Sequence, residues 1–160
     1  MASIYISSYG LYNAGFLSGA WYNFSDFKSI DELMKKAAEV CKSFGDSDPE
    51  LMIQDYKGFP RCFYSEYSID EECFDFVAFC KENPSLEDAA EAYVEYFGHW
   101  SEADFNDRYI GCYTDDEFGT YCIEECCLNI PEWLISYIDT ERYGREEKWN
   151  YNCQGDYIFA

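Results

Sequence analysis

The sequence has few basic residues, a single histidine and no long apolar run. Lysine and arginine together number 11 against 32 aspartate and glutamate residues, so the formal net charge is -21 and the sequence pI is near 4.1. Such a charge repels nucleic acid and anionic membranes and attracts basic surfaces. No stretch approaches the ~18 apolar residues of a membrane span, and the start, MASIYISSYG, lacks the pattern of a secretory signal. We therefore expect a cytoplasmic protein with a basic partner.

The residues for metal binding and nucleophilic catalysis are also scarce. None of the nine cysteines forms a C-x-x-C pair, and the only histidine is His99, in the exposed-looking turn FGHWSEAD. Neither a paired-ligand zinc site nor a Cys-His or Ser-His-Asp group is expected. Cys122 and Cys126 are one helical turn apart, but we interpret all nine cysteines as reduced core or surface thiols. The loops GDSDPE and DDEFG do not match the twelve-residue calcium loop, so no metal or cofactor is predicted.

Apolar residues are abundant, so we expect the chain to fold and to carry its acids on the surface of a folded protein. Hydrophobic residues make up 48% of the chain and aromatic residues 21%, more than a disordered acidic chain carries. The alternation in residues 3–7 predicts a strand, and residues 16–24 and 51–57 predict two more. Ser29 with Glu32 forms a capping box for a helix between the last two strands.

The middle of the sequence predicts two amphipathic helices. Ser68 with Glu71 and Ser85 with Asp88 have the capping-box spacing, and an apolar stripe at helical period follows each pair. Asn83-Pro84 separates the stripes, so we expect a helical hairpin. In the last third, residues 108–113 predict a strand. Thr114 with Glu117 then predicts the start of a helix that runs to about Cys127. Asn129 with Glu132 predicts the start of a second helix, which carries Pro131 in its first turn. Residues 156–159 predict a closing strand.

These elements predict an α+β protein of three small domains. The domains are an N-terminal α+β domain (1–60), a central acidic helical domain (61–106) and a C-terminal α+β domain (107–160). Charge is uneven along the chain: residues 51–107 hold 14 acids and 3 bases, whereas residues 1–50 hold 7 and 4 and residues 108–160 hold 11 and 4. The negative field is therefore centred on the predicted helices.

The acids of these helices recur three and four residues apart, which places their Cβ atoms about 5–6 Å from one another. Between Cys62 and Asp107 only Lys81 is a lysine or arginine, whereas a face that only needs hydration normally interleaves cations. We predict a partner-binding surface of carboxylates. The candidates are Asp70, Glu71, Glu72, Asp75, Glu87, Asp88, Glu91, Glu95, Glu102, Asp104, Asp107, Asp115, Asp116, Glu117, Glu124, Glu125 and Glu132.

Two other functions are compatible with many carboxylates. A hydrolase needs two acids in different environments within one pocket, and nothing in the sequence distinguishes two among 32. We therefore predict a protein that is not an enzyme. An acidic decoy or adaptor for another DNA-binding protein would share the charge but not the target, and stays open.

Four segments resemble the ArdA antirestriction proteins of conjugative plasmids and transposons. Residues 12–21 are similar to that family's Y-N-x-G-x-L-x-G-x-W pattern, and DYKGFP (55–60) is similar to its D-Y-E-G-F-P. IPEWLISYIDTERYGR (130–145) resembles the segment ending Y-I-D-Y-E-x-x-A-R, from which Thr140 and Gly144 depart. GDYIF resembles the family's closing strand.

This resemblance implies an elongated, curved chain of three domains that dimerises through its C-terminal part. It implies that the acids mimic the phosphates of bent B-DNA and occupy the DNA-binding groove of type I restriction-modification enzymes. The expected effect is loss of restriction, often together with modification. The expected partner is the DNA-binding subunits of such an enzyme, with no nucleic acid or membrane bound.

Overall fold

The computed structural model describes residues 2–125 and 130–160 and divides into two compact units. The first unit contains residues 1–87 and 99–101, and the second contains residues 88–98 and 102–160. Both combine helices with a small antiparallel sheet, so the predicted α+β class is confirmed. The division into three domains stays a prediction.

The sheet of the first unit has three antiparallel strands, β1 (Ser3–Ser8), β2 (Ala20–Asn23) and β3 (Leu51–Lys57), in the order β2-β1-β3. The strands predicted at residues 3–7 and 51–57 are confirmed. The one predicted at 16–24 is shorter, because the chain first forms a helix, α1 (Tyr9–Asn13).

Helix α2 (Ile30–Ser43) begins as predicted. The Ser29 hydroxyl accepts the Glu32 N–H at 3.3 Å, and the Glu32 carboxylate accepts the Lys28 N–H at 2.9 Å. Leu33, Ala37 and Cys41 on one face of this helix are buried.

The cap predicted for the next helix is wrong. Ser68 instead lies in a turn in which its N–H donates to the Ser65 hydroxyl at 2.9 Å. Helix α3 (Glu72–Glu82) begins four residues later, where the Asp70 carboxylate accepts the Glu72 N–H at 3.0 Å. The predicted apolar face is largely confirmed, since Cys73, Phe76 and Cys80 are buried. Helix α4 (Glu87–Phe97) also begins later than predicted, because Pro84–Leu86 forms a 3-10 turn at the expected Ser85 cap.

The second unit contains α4 from residue 88 and every helix and strand from residue 102 onward. Its strands are β4 (Tyr109–Cys112), β5 (Asn152–Gln154) and β6 (Tyr157–Phe159), in the order β4-β6-β5. The strands predicted at 108–113 and 156–159 are confirmed, and β5 was not predicted.

The remaining helices are α5 (Glu102–Arg108), α6 (Asp115–Glu125), α7 (Glu132–Ile135) and α8 (Thr140–Glu147). The Thr114–Glu117 capping box of α6 is confirmed, with N–H donors at 2.9 and 3.4 Å. The predicted Asn129 cap and the Cys126 and Cys127 thiols lie outside the described residues. Helices α5 and α8 were not predicted.

Aromatic side chains dominate both cores. In the first unit the Trp100 ring lies edge-on to Phe76 at 5.3 Å between ring centroids. In the second unit Tyr93 is fully buried and contacts Phe105 and Phe159, each at 5.7 Å. Rings in these edge-on arrangements add to the free energy gained by burial alone.

The described cysteines are free thiols, in agreement with the prediction. Four are buried, Cys62 and Cys112 are exposed, and Cys153 is half-buried. Burial also raises the pKa of the Cys41 and Cys73 thiols above the ordinary value for cysteine, so these thiols are weak nucleophiles and metal ligands.

Helices α6 and α8 approach closely where each carries a glycine. A Cβ atom added at Gly119 would overlap the backbone oxygen of Thr140, and one added at Gly144 would overlap that of Asp115. Both overlaps involve backbone, which cannot rotate away as a side chain can. The packing of the second unit therefore depends on the absence of a side chain at these two positions.

We expect Gly144→Ala to lower the free energy of unfolding by about 1–3 kcal/mol, the usual cost of overpacking. This loss exceeds the gain of about 1 kcal/mol that alanine brings to a helix interior, because the two helix backbones must move apart. Urea denaturation followed by circular dichroism measures the difference.

The matched control is Glu141→Ala on the exposed side of the same helix. It should change stability by less than about 0.5 kcal/mol, as surface substitutions usually do. Gly144→Ala protein as stable as the wild type would contradict the proposed constraint.

Candidate partner-binding surface

None of the 17 predicted carboxylates is buried. Thirteen are exposed, and four are half-buried: Glu72, Glu91, Asp104 and Asp115. The structure thus leaves most of the set accessible to a partner. The half-buried acids have structural roles in at least three cases.

Around α3 the four predicted acids divide into two kinds. Asp70 caps the helix, and the Glu72 carboxylate accepts the backbone N–H of Trp100 at 2.6 Å. Both therefore fix the local fold. Glu71 and Asp75 are exposed, and no side-chain hydrogen bond or ion pair involving either of them is found among residues 2–125 and 130–160.

Along α4, Asp88, Glu91 and Glu95 follow one another at spacings of three and four residues. They line one side of a shallow groove of the second unit that Gln154 and Tyr157 line as well. The Gln154 amide donates to Glu95 at 3.0 Å. Burial is the largest cause that raises the pKa of Tyr157, and the nearby Cys112 and Asp88 raise it further. The Tyr157 phenol therefore stays neutral beside these acids.

Asp104 and Asp115 hold the second unit together. The Asp104 carboxylate accepts the Tyr93 hydroxyl at 2.5 Å and pairs with Arg108 at 2.9 Å. Asp115 pairs with Lys148 at 3.0 Å, and the Lys148 ammonium also donates to a backbone oxygen at 2.9 Å. Because their charges are partly neutralised within the unit, these two acids add less to the outer field than the sequence suggests.

Asp116 and Glu117 lie in the first turn of α6. The Thr140 hydroxyl donates to Asp116. The Thr114 backbone N–H and hydroxyl donate to Glu117 at 2.9 and 2.8 Å, and these bonds lower its pKa below the ordinary 4.5. Both carboxylates remain exposed, so they combine a local structural role with surface charge.

The other predicted acids are exposed at further points of the chain. They are Glu87 at the start of α4, Glu102 and Asp107 on α5, Glu124 and Glu125 at the end of α6, and Glu132 at the start of α7. Prediction from sequence missed Glu82, which is exposed in the last turn of α3. Its spacing from Asp75 by seven residues was the available signal.

None of the described ion pairs involves an exposed acid of α3 or α4. Lys36 pairs with Glu39, and the other six pairs lie within residues 104–156. Within the described part of the chain, neither Arg61 nor Lys81 forms an ion pair. The exposed acids of α3 and α4 are therefore not neutralised by the lysines and arginines of the described residues, whereas Asp104 is paired with Arg108.

Neither a metal-binding group nor a membrane-spanning helix is found among the described residues. No group of three or more histidine, cysteine, aspartate or glutamate side chains among them could hold a metal ion. In the same ranges no helix combines the length and apolar character needed to cross a membrane. His99 is exposed in a turn, as predicted.

Comparison with known families agrees with these observations. The model of the antirestriction protein family ArdA matches residues 4–159, nearly the whole chain. The chain belongs to the ArdA family. No individual curated protein matches it at a significant level. ArdA proteins are non-enzymatic and act against restriction-modification enzymes, so this chain has an antirestriction function.

Glu117 should contribute pH-dependent stability to this ArdA protein. Because folding lowers its pKa, its contribution is complete above the ordinary value of 4.5 and is lost as the pH falls through the lower folded value. We expect Glu117→Gln to lower the free energy of unfolding at pH 7. The difference from wild type should disappear between about pH 5 and pH 3, as urea denaturation across this range will show.

Glu124→Gln at the opposite end of α6 is the matched control. A negative charge is unfavourable near a helix C-terminus, so this substitution should leave stability at pH 7 unchanged or raise it by about 0.3 kcal/mol. If both variants lose equal stability at pH 7, the capping interaction is not the cause.

Proposed function

We propose that the protein inhibits type I restriction-modification enzymes by mimicking B-DNA in their DNA-binding groove. The observation that carries this proposal is the set of exposed carboxylates on α3 and α4 that the chain does not pair with cations. A lysine- and arginine-lined groove would supply the missing counter-charges. The protein would act in the cytoplasm of a cell that carries a mobile element encoding it.

The amount of charge suits this role. B-DNA carries about one charge per 1.7 Å of axis, so a net charge of -21 corresponds to roughly 36 Å of duplex. The acids that project from α3 and α4 are also positioned before binding, so little conformational entropy is lost when the partner binds. Long-range attraction speeds association.

The same argument predicts broad target range. Sequence is read from base edges, whereas phosphates only position a protein on the duplex. A carboxylate surface presents no base edges, so it supports inhibition across enzymes with different recognition sequences. Modification uses the same DNA-binding groove and should be inhibited with restriction.

A competition assay tests this function directly. The protein is titrated into a type I restriction-modification enzyme bound to labelled duplex DNA at two salt concentrations. We expect displacement of the DNA, with the half-displacing concentration rising at the higher salt because screening weakens the attraction. Absence of displacement at both salts would overturn the proposal and favour an acidic decoy or adaptor for another DNA-binding protein.

Two quadruple variants locate the interaction. The first neutralises exposed acids of α3 and α4, and the second neutralises exposed acids of residues 1–50. The first variant combines Glu71→Gln, Asp75→Asn, Glu87→Gln and Asp88→Asn. The second variant combines Asp31→Asn, Glu39→Gln, Asp48→Asn and Glu50→Gln. Each set removes two aspartates and two glutamates, so the net charge changes equally.

We expect the first variant to lose potency by on the order of tenfold or more, which corresponds to about 1.4 kcal/mol, and the second to lose much less. Equal losses would show that net charge alone matters and would contradict the proposal that the exposed acids of α3 and of α4 contact the partner.

We also propose a homodimer that forms through the C-terminal part. Support comes from apolar side chains on and after α7, where Trp133 is 71% exposed and Tyr137 is 79% exposed. Leu134 and Ile135 between them are each 38% exposed. A contiguous exposed apolar segment of this kind typically marks a protein–protein interface.

Sedimentation equilibrium tests the dimer. We expect twice the chain mass of 18.8 kDa for the wild type and the mass of a single chain for the Trp133→Ser, Tyr137→Ser double variant at the same concentration. Trp149→Ser, which removes another highly exposed tryptophan of the second unit, is the control and should remain dimeric. A monomeric wild type would refute the proposed dimer.

A further inference from the structure

The first unit has a groove whose chemistry differs from that of the acidic helices. It has a volume of about 690 Å³ and lies between α1 and β3. Tyrosines and apolar side chains line it together with a single acid. The residues that matter here are Tyr9, Tyr12, Leu17, Met52, Tyr64 and Glu66.

Glu66 is the charged group of this groove. One of its oxygens accepts the Tyr9 hydroxyl at 2.6 Å, and the carboxylate has capacity for further donors. Among residues 2–125 and 130–160 no lysine or arginine forms an ion pair with Glu66. The hydrogen bond to Glu66 raises the pKa of Tyr9 well above the ordinary value for tyrosine, so the phenol stays protonated and holds the carboxylate in place.

Tyrosine rings line the groove together with this carboxylate. The Tyr9 ring stacks with Tyr67 at 6.2 Å between ring centroids, and Tyr64 stacks with Tyr56 at 4.6 Å. The Tyr64 hydroxyl donates to the backbone oxygen of Ile53 at 2.9 Å, which fixes the ring against β3. Tyrosine faces attract cations, so the rings and the carboxylate favour the same kind of ligand.

Apolar side chains in the lining of the same groove can contact an aliphatic chain. Leu17 is 84% exposed and Tyr12 is 53% exposed, which is costly for side chains that contact only water. Met52 forms part of the groove lining, and a methionine adapts its shape to an apolar ligand. The groove therefore combines a place for a cationic head with a place for an apolar stem.

We propose that this groove binds an arginine side chain presented by a basic protein partner. The guanidinium donates to Glu66 and stacks on the tyrosine faces, while its three methylene groups contact Leu17 and Met52. Arginine fits better than lysine because its planar fork matches a carboxylate and stacks on aromatic rings. A purely apolar ligand would desolvate the Glu66 carboxylate while leaving it only the Tyr9 hydroxyl as a donor, at a cost, and an anionic ligand is repelled by the net charge.

This site adds a specific contact to a protein whose other predicted contacts are distributed charges. The distributed field attracts any basic surface, whereas the groove selects one side chain by shape and hydrogen bonding. The arginine site does not depend on which enzyme is the target. Its test contains no restriction enzyme, so its failure and that of the proposed function can be distinguished.

Methionine methyl groups report on this site in the full-length protein. The sequence has only three methionines, and one of them, Met52, lines the groove. With methionine labelled at the methyl carbon, titration with N-acetyl-arginine amide should shift the Met52 signal to saturation. Met34 on α2 serves as the internal reference and should not move. N-acetyl-norleucine amide, which has a similar stem and no charge, should produce no saturable shift.

Two variants of equal net charge separate the site from general attraction. Glu66→Gln can still accept the Tyr9 hydroxyl, so it keeps the local fold, and it should weaken arginine binding by about fivefold or more. Glu50→Gln removes an exposed acid outside the groove lining and should bind as the wild type does.

Three results would overturn the proposal. They are the absence of a saturable Met52 shift, equal binding of N-acetyl-norleucine amide, and equal weakening by Glu66→Gln and Glu50→Gln. N-acetyl-lysine amide should bind more weakly than the arginine compound. Equal or tighter binding of lysine would overturn the assignment to arginine.

Discussion

The structure depends on aromatic packing that is strong enough to hold like charges side by side. An i, i+4 pair of like charges on a helix costs about 0.2–0.5 kcal/mol, whereas burial of one large apolar side chain contributes about 1.5–3 kcal/mol. Helix α4 illustrates the balance, because its acids surround a stripe that buries Tyr93 against Phe105 and Phe159. The first unit has the same design, with Phe76 and Trp100 in its core. A chain with 21% aromatic residues can therefore leave its surface acids unpaired and still fold.

The structure separates the acidic residues into two groups by what they contact. Asp70, Asp104 and Asp115 bind N–H groups, a hydroxyl or cations of their own unit, so they are part of the framework. Glu71 and Asp75 project from the protein with no such partner among the described residues. Most of the described ion pairs lie in the second unit, because α8 and the turn that follows it carry the cations. The exposed acids of α3 and α4 are thus not offset by a described ion pair, whereas several acids of residues 104–156 are.

The sequence predicted the parts of the fold that local patterns determine. Strands β1 and β3, helix α2 with its Ser29 cap, and helix α6 with its Thr114 box follow from alternation, helical period and capping. Helix α8 has no apolar stripe; it depends on the Asp139 cap, which accepts the Arg142 N–H, and on close contact with α6. Helix α5 buries only Phe105 and so gives no periodic signal. The contacts of Asp104 with Tyr93 and of Asp115 with Lys148 could not be predicted either, because these partners are distant along the chain, whereas the i, i+4 spacing of Asp104 and Arg108 was visible in the sequence. The aromatic groove beside Glu66 likewise joins three separate segments.

The exposed acids of α3 and α4 have a consequence for the evolution of both proteins under the proposed function. A field produced by many separated charges changes little when one of them moves or is lost, so the inhibitor can accumulate substitutions at these positions without losing its effect. Under the proposed DNA mimicry, an enzyme whose DNA groove is the target has no such freedom. Each cation that it removes to escape the inhibitor is also a cation that it needs for its own substrate. Resistance and loss of DNA binding therefore arise from the same mutations, which favours the inhibitor in any contest between the two genes.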